Sequence, residues 1–207
     1  IFFYAAHLHF RKKNSDTRIA GLRVNTRLEV FHPKFSARMI ALIRWLEKQD
    51  LTGKRMLDAG TGTGVVALVA ALRGANVMAI DRDPQAVQLA CENARLHKVD
   101  DAVHCCEVDN LRDLQWQQKF DCIIGNPGLW ASGYSIAHFF ESASDLLADG
   151  GTIALALDDN MPLSHIDDAI EKSGLVFARR TRKTLPTGYL HFILLQKQHS
   201  PIPVAHN

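Results

Sequence analysis

The chain has 207 residues, enough for one α/β domain with a full hydrophobic core and too short for two comfortable domains. Its charge is uneven: residues 1–40 carry eight basic and two acidic side chains, residues 41–171 carry ten and twenty, and residues 172–207 carry six and none. The basic ends either attract a polyanion such as RNA or form ordinary solvated surface. The apolar opening IFFYAAHLHF is too short for a membrane span and lacks a cleavage pattern, so we expect a soluble protein.

Cysteine and histidine usage argues against disulfides and metal. Four cysteines without CxxC spacing fall in predicted helices or strands: Cys91, Cys105, Cys106 and Cys122. This placement predicts buried thiols in a reducing compartment, the cytoplasm. Among ten histidines only His7 and His9 form a close pair, and no Cys or acidic residue stands at ligand spacing from them. We therefore expect no structural metal.

The predicted elements alternate strand and helix. After a possible hairpin in RIAGLRVNTRLEVF, apolar residues recur at helical spacing over 34–48. The remaining predicted elements are a strand at 54–59, a helix at 64–73, a strand at 76–81, a helix at 84–97, strands at 102–108 and 120–125, a helix at 135–148, a strand at 152–157 and a helix at 163–172. Two last strands, 175–182 and 189–196, are joined by a turn too short for a crossover helix, which predicts antiparallel neighbours at a sheet edge.

A glycine turn follows the first strand of this series. In Asp58-Ala59-Gly60-Thr61-Gly62-Thr63-Gly64 the glycines permit positive φ and let a ligand approach the backbone where open α/β sheets bind. The Asp58 carboxylate is placed to orient the turn. Asp81 ends the next strand, and its two acceptor oxygens match the vicinal diol of a ribose. Asp81 could instead cap the helix at Pro84, although Asp83 is better placed for that. The pair of acids predicts a nucleoside-bearing cofactor.

The order of motifs resembles a class I S-adenosylmethionine-dependent methyltransferase over roughly residues 34–197. DAGTGTG, a strand ending in Asp81, a strand ending in VDN, a strand ending in NPGLW and the terminal hairpin carry this resemblance. The NP dipeptide resembles the NPP(Y/F) signature of HemK-like glutamine methyltransferases and of adenine-N6 and guanine-N2 methyltransferases. The VFHP segment, 30–33, resembles the lead-in that those enzymes place before their first helix.

The resemblance implies a Rossmann-like, doubly wound, seven-stranded α/β sheet, mostly parallel with an antiparallel C-terminal edge hairpin. It places the domain at 34–207, after an N-terminal extension with short strands at 1–33. It also implies the cofactor S-adenosyl-L-methionine and a macromolecular methyl acceptor, either RNA or a ribosome-associated protein, in the cytoplasm and away from membranes.

The resemblance assigns the following residues to the cofactor: Asp58, Gly60, Thr61, Gly62, Gly64, Asp81, Arg82, Asp109, Asn110 and Asn126. Asp58 would accept a hydrogen bond from the cofactor ammonium, directly or through water, and Asp81 would hold both ribose hydroxyls. Asp109, with Asn110 beside it, would accept the adenine amino group. A surface acid in a loop explains Asp109 almost as well.

The resemblance also assigns the acceptor chemistry to Asn126 and Pro127. The side-chain oxygen of Asn126 and the main-chain oxygen of Pro127 would accept the two N–H groups of an amine or amide and turn its lone pair toward the methyl group. The sequence departs from the signature, because Gly128 replaces the second proline and Leu129 replaces the aromatic, with Trp130 one position late. Another methyl acceptor, or a turn that merely ends a strand in a catalytically silent cofactor-binding module, therefore remains open.

An NAD(P)-dependent oxidoreductase is the competing enzyme class. Gly62, Gly64 and Ala67 satisfy GxGxx(G/A), and Asp81 follows Gly64 by seventeen residues. Asp58, the NP loop and the edge hairpin argue against it. Other candidate residues have an ordinary packing or solvation explanation beside a functional one: His32 near the cofactor, Trp116 and Trp130 on bases, and Arg179, Arg180, Arg182 and Lys183 on phosphates.

Overall fold

A computed structural model of the chain describes residues 15–27, 30, 36–125, 136–158, 163–186 and 188–197. Near the N-terminus, strands β1 (Ser15–Ile19) and β2 (Leu22–Thr26) form a separate antiparallel sheet. Ala20 and Gly21 connect them with φ of 50° and 79°, and two positive φ values are what a tight hairpin turn requires. The predicted hairpin is therefore confirmed.

Seven strands form the main sheet. They are β3 (Arg55–Ala59), β4 (Asn76–Asp81), β5 (Val103–Glu107), β6 (Phe120–Gly125), β7 (Leu147–Asp158), β8 (Leu175–Leu185) and β9 (Gly188–Lys197). Their order is β5-β4-β3-β6-β7-β9-β8, and the first five in that order are parallel neighbours. Strand β9 is antiparallel to both β7 and β8, so the predicted terminal hairpin at the sheet edge is confirmed.

Helices cover both faces of this sheet. They are α1 (Ala37–Leu46), α2 (Val65–Ala71), α3 (Pro84–Leu96), α4 (Ile136–Leu146) and α5 (Leu163–Lys172), with a 3-10 turn at Leu111–Asp113. Apolar side chains of α1, α2 and the N-terminal hairpin share one buried cluster, and those of α4 and α5 share another on the opposite face. The doubly wound fold is thus confirmed. None of the helices in the described ranges is long and apolar enough to cross a membrane.

Strand β7 differs from its predicted bounds, 152–157, because it begins at Leu147. Phe120 pairs with Leu147 and Cys122 pairs with Thr152, so four residues of β7 lie opposite one residue of β6. This extra segment contains Gly151, where a Cβ atom would lie 2.9 Å from the Ala148 carbonyl oxygen. The glycines therefore shape an irregularity within the strand. The sequence pattern predicts residues 147–148 as the end of the preceding helix and residues 149–151 as the connection after it.

The prediction of four buried thiols is wrong for three of the cysteines. All four are free, but only Cys122 is buried, whereas Cys106 is exposed and Cys91 and Cys105 are half-buried. Cys105 and Cys106 lie on β5, which is an edge strand, so neither face is fully covered. Burial of Cys122 within β6 raises the pKa of its thiol to about 12.

Candidate functional site

The glycine turn joins the end of β3 to the start of α2. Gly60, Gly62 and Gly64 have φ of 82°, 54° and 78°, a conformation that side-chain-bearing residues rarely adopt. The backbone N–H groups of Gly60 and Thr61 both donate to the Ile80 carbonyl oxygen at 2.9 Å. The turn is thereby fastened to the last residues of β4, at the carboxyl edge of the sheet where open α/β folds bind ligands.

Gly64 also sets how closely two helices approach. It is the N-cap of α2, and a Cβ atom at this position would lie 2.9 Å from both Cα and Cβ of Ala90 in α3. Such a distance is shorter than real contacts allow. The third glycine of the motif is therefore required both by its backbone conformation and by packing.

Asp81 reaches the turn from the end of β4. Its Oδ2 accepts the Gly62 backbone N–H at 2.9 Å, and its Oδ1 accepts the Asp83 backbone N–H at 3.1 Å. Each carboxylate oxygen keeps a further lone pair for a ligand hydroxyl. Asp83 caps α3 by accepting the Gln85 N–H at 2.9 Å, so it performs the capping role that could have explained Asp81.

Asp58 lies under the turn and is 3% exposed. The Thr61 hydroxyl donates to its Oδ2 at 2.7 Å and holds the carboxyl against the turn. Burial raises the pKa of Asp58 to about 7; hydrogen bonds from Thr61 and the Ala67 backbone oppose the shift, and the charge of Asp81 adds to it. A nearby cation would restore the charged form, so this carboxyl suits an ammonium group.

Asp109, Asn110 and Arg82 lie farther along the same edge. Strand β5 ends at Glu107, and the Val108 N–H donates to the Asp81 carbonyl oxygen at 3.0 Å, which brings Asp109 to the neighbourhood of the β4 end. Asp109 and Arg82 are exposed, and Asn110 precedes the 3-10 turn and accepts the Asp113 N–H through its carbonyl oxygen at 2.9 Å. Their roles toward a cofactor stay predictions.

The predicted acceptor residues, Asn126 and Pro127, lie outside the described residues, as do the neighbouring loop positions 128–130 and the residues 31–33 that include His32. The strand that leads to them is described. Gly125, the last residue of β6, pairs with Ala59 of β3 and with Leu155 of β7. The chain therefore leaves the sheet toward Asn126 directly beside the strand that carries the glycine turn.

Asn93 is a site residue that sequence reasoning missed. It is fully buried in α3, and its Nδ2 donates to the Thr63 carbonyl oxygen at 2.9 Å and to the Asn25 carbonyl oxygen at 3.0 Å. Its Oδ1 accepts the Asn25 backbone N–H at 2.8 Å. One side chain thus links the glycine turn, α3 and the N-terminal hairpin. The available signal was a polar residue on the apolar face formed by Ala86, Leu89 and Ala90.

A family model for ribosomal protein L11 methyltransferase (PrmA) matches residues 40–157, more than half of the chain. The chain belongs to this family. The matched range contains the glycine turn, Asp81, Asp109 and Asn126, and it excludes both the N-terminal hairpin and the β8–β9 hairpin. The PrmA family match therefore covers the strands that carry the candidate site.

Individual PrmA-family relatives agree with this assignment. The chain is 38% identical over 86 residues to the ribosomal protein L11 methyltransferase of Methylococcus capsulatus, covering 41% of this chain and 29% of that protein. It is 32% identical over 136 residues to that of Bacillus velezensis, covering 65% of this chain and 42% of that protein. The chain thus spans less than half the length of the relatives it matches.

Solved structures share the fold of this PrmA-family chain. The Methanocaldococcus jannaschii tRNA m1G37 methyltransferase superimposes with a TM-score of 0.73 at 19% identity, covering 92% of this chain and 58% of that one. A TehB-like SAM-dependent methyltransferase from Corynebacterium glutamicum gives 0.65 at 15% identity, covering 76% and 87%. At such low identity these similarities show the fold alone.

Proposed function

We propose that this chain is an S-adenosyl-L-methionine-dependent methyltransferase that acts on a nitrogen atom of a macromolecule in the cytoplasm. One observation carries the proposal: a glycine turn with three positive φ values is fastened to Asp81 and lies over the buried Asp58. The turn supplies close backbone approach, and the two acids supply acceptors for a diol and an ammonium group. The PrmA family membership and methyltransferase neighbours support this function over a nicotinamide oxidoreductase.

Each candidate residue would bind the part of the cofactor that suits its chemistry. Asp81, already aligned by two backbone N–H groups, would accept the ribose hydroxyls without further ordering, with the exposed Arg82 beside it. Asp58 would pair with the ammonium group, and Asp109 with Asn110 would accept the adenine amino group. The glycine turn, in which the Thr61 hydroxyl donates a hydrogen bond to Asp58, would lie between these cofactor groups.

Asn126 and Pro127 would orient the acceptor. When bound, the cofactor supplies an electrophilic methyl group on a sulfonium, and transfer forms a C–N bond as the C–S bond breaks. The oxygens of Asn126 and Pro127 would accept hydrogen bonds from the two N–H groups of the substrate and so turn its nitrogen lone pair toward the methyl carbon. The proton then leaves to solvent. This mechanism needs orientation and charge accommodation and no covalent intermediate on the protein.

Calorimetry with S-adenosylhomocysteine tests the cofactor assignment. Asp81→Ala removes a charged acceptor and should weaken binding by about 3 kcal/mol, roughly a hundredfold. Asp83→Ala is the matched control, because it removes a neighbouring acid that serves only the helix cap, and it should leave the affinity within about twofold. Binding of NADH without binding of S-adenosylhomocysteine would refute the methyltransferase assignment and favour the oxidoreductase class.

Transfer is tested separately with tritiated S-adenosylmethionine and total cellular RNA or protein extract. Label in either fraction would identify the acceptor class, and Asn126→Ala should slow labelling while cofactor affinity stays nearly unchanged. Cofactor binding without label in either fraction would identify a silent binding module. Unchanged labelling by Asn126→Ala would refute the orienting role of that residue.

A further inference from the structure

The strongest surface feature outside the candidate site is the edge strand β8. Every residue from 176 to 184 is exposed, although such a strand in a doubly wound sheet usually has a covered face. The sequence contains no acidic residue from 172 to 207. We define the basic edge as the exposed basic and aromatic side chains of the β8–β9 hairpin: Phe177, Arg179, Arg180, Arg182, Lys183 and Tyr189.

A bulge sorts these side chains between the two faces of the sheet. Phe177 pairs with Leu195, but Arg179 pairs with Leu194, so Ala178 is an extra residue without a partner in the register. Beyond it, Arg180 and Arg182 pair with Ile193 and His191, which lie on the same face as Leu195. The bulge therefore places two arginines on the face that also carries Phe177 and Tyr189.

The arginines and aromatic rings on that face are stacked in pairs. The Arg182 guanidinium lies 4.5 Å from the Tyr189 ring centroid, and that of Arg180 lies 5.6 Å from the Phe177 ring centroid. Arg180 also forms an ion pair with Asp167 of α5 at 2.8 Å. These contacts orient two planar cationic groups on an exposed face of the strand.

The end of the basic edge that contains Lys183 lies at the same carboxyl edge of the sheet as the candidate site. Asp158, at the end of β7, pairs with Leu190, and Leu190 pairs with Lys183. The end of β8 therefore lies at the carboxyl edge, as do the glycine turn and Gly125. Strand β8 is three strands from β6, or about 14 Å at the usual spacing. A polymer on the basic edge can thus reach the candidate site.

We propose that the basic edge binds a single-stranded segment of RNA and guides it to the candidate site. Exposed cations attract phosphates, and guanidinium and aromatic groups provide flat surfaces on which unpaired bases stack. An acidic peptide added to β8 as a further strand fits less well, because the bulge interrupts the free strand edge. The inference deepens the proposed function and rests on it, since it names RNA as the acceptor class. The family match ends at residue 157, before this hairpin.

Fluorescence anisotropy with a labelled, mixed-sequence single-stranded RNA tests the proposal on the full chain. The double variant Arg182→Gln/Lys183→Gln should weaken binding at least about tenfold and lower the slope of log affinity against log salt by about 1.4, for two lost phosphate contacts. Tyr189→Leu should weaken binding about tenfold with little change in that slope, because it removes a stacking surface.

Arg44→Gln/Lys48→Gln is the matched control. It removes the same charge from exposed positions at the end of α1. These positions precede β3, which begins at the amino edge of the sheet, opposite the carboxyl edge that carries the candidate site. This control should keep RNA affinity within about twofold if location rather than net charge decides binding. Equal losses in the two double variants, or tighter binding of an acidic peptide than of RNA, would overturn the proposal.

Calorimetry with S-adenosylhomocysteine separates this proposal from the proposed function. The basic-edge variants should bind S-adenosylhomocysteine like the parent chain. Cofactor binding without RNA binding would refute the basic edge as an RNA site and leave the proposed function standing. RNA binding that responds to these substitutions, without cofactor binding, would refute the methyltransferase and with it the assignment of RNA as methyl acceptor.

Discussion

Gly64 is the position where one added methyl group tests how tightly the glycine turn is packed. Gly64→Ala places a Cβ atom 2.9 Å from Cα and Cβ of Ala90 at a residue with φ of 78°. Gly62→Ala is the matched control, because Gly62 also has a positive φ, of 54°, but its Cβ would have nothing within 4 Å. The two variants share the conformational strain and differ in the packing conflict.

The structure sets the expected size of each effect. An alanine in the left-handed region costs about 1–2 kcal/mol, and this conformational strain is the whole loss of unfolding free energy that we expect for Gly62→Ala. In Gly64→Ala the clash involves backbone of α3, which no side-chain rotation can relieve, so the helices must separate at a further cost of about 1–3 kcal/mol. We therefore expect Gly64→Ala to unfold with a free energy about 2 kcal/mol lower than Gly62→Ala.

Urea denaturation followed by circular dichroism measures this difference, with an unchanged m value as the check that only stability has changed. Ala90→Gly removes one of the two close contacts, so combining it with Gly64→Ala should recover about 1 kcal/mol beyond additivity. Equal stabilities of Gly64→Ala and Gly62→Ala would show that α2 and α3 are not held at the observed separation.

Three further predictions concern buried and paired polar groups. The pKa of Asp58 is raised from 3.8 to about 7, so between these pH values the folded state holds a proton that the unfolded chain has lost. The free energy of unfolding should therefore fall by up to roughly 4 kcal/mol as pH rises through that range. Asp58→Asn should remove most of this dependence of the unfolding free energy on pH. Asn93→Ala removes the partner of the buried Thr63 carbonyl and of the half-buried Asn25 backbone groups and should cost about 3 kcal/mol in urea denaturation. Asp121→Asn weakens a surface pair with Arg55 and should cost less than about 1 kcal/mol, with a smaller loss in high salt.

The alternation of strands and helices was predictable because local signals agree with the fold. The Pro84 helix begins where Asp83 caps it, and the turn at Pro186 and Gly188 leaves no room for a crossover, so antiparallel pairing follows. The glycine turn was predictable for the same reason, since three glycines in five residues mark backbone conformations that few sequences need. These features depend on neighbours in the chain.

Features that depend on neighbours in space were not predictable. Exposure of Cys106 follows from the edge position of β5, which the strand pattern itself does not reveal. The bulge at Ala178 decides which arginines share a face with Phe177, and no local residue signals it. The long start of β7 contains two glycines that ordinarily mark a loop, yet Leu147 is buried and pairs with Phe120.

The connections of the glycine turn explain how a short loop can serve as a binding surface. Ile80 fixes the beginning of the turn, Asp81 fixes its middle through Gly62, and Asn93 fixes Thr63 before the helix starts. Since these bonds come from the protein itself, a ligand meets a turn that is already ordered and does not pay for ordering it. Asn93 also hydrogen-bonds the N-terminal hairpin. Removal of that hairpin should therefore loosen the glycine turn, because it frees the buried Asn93 amide that holds Thr63.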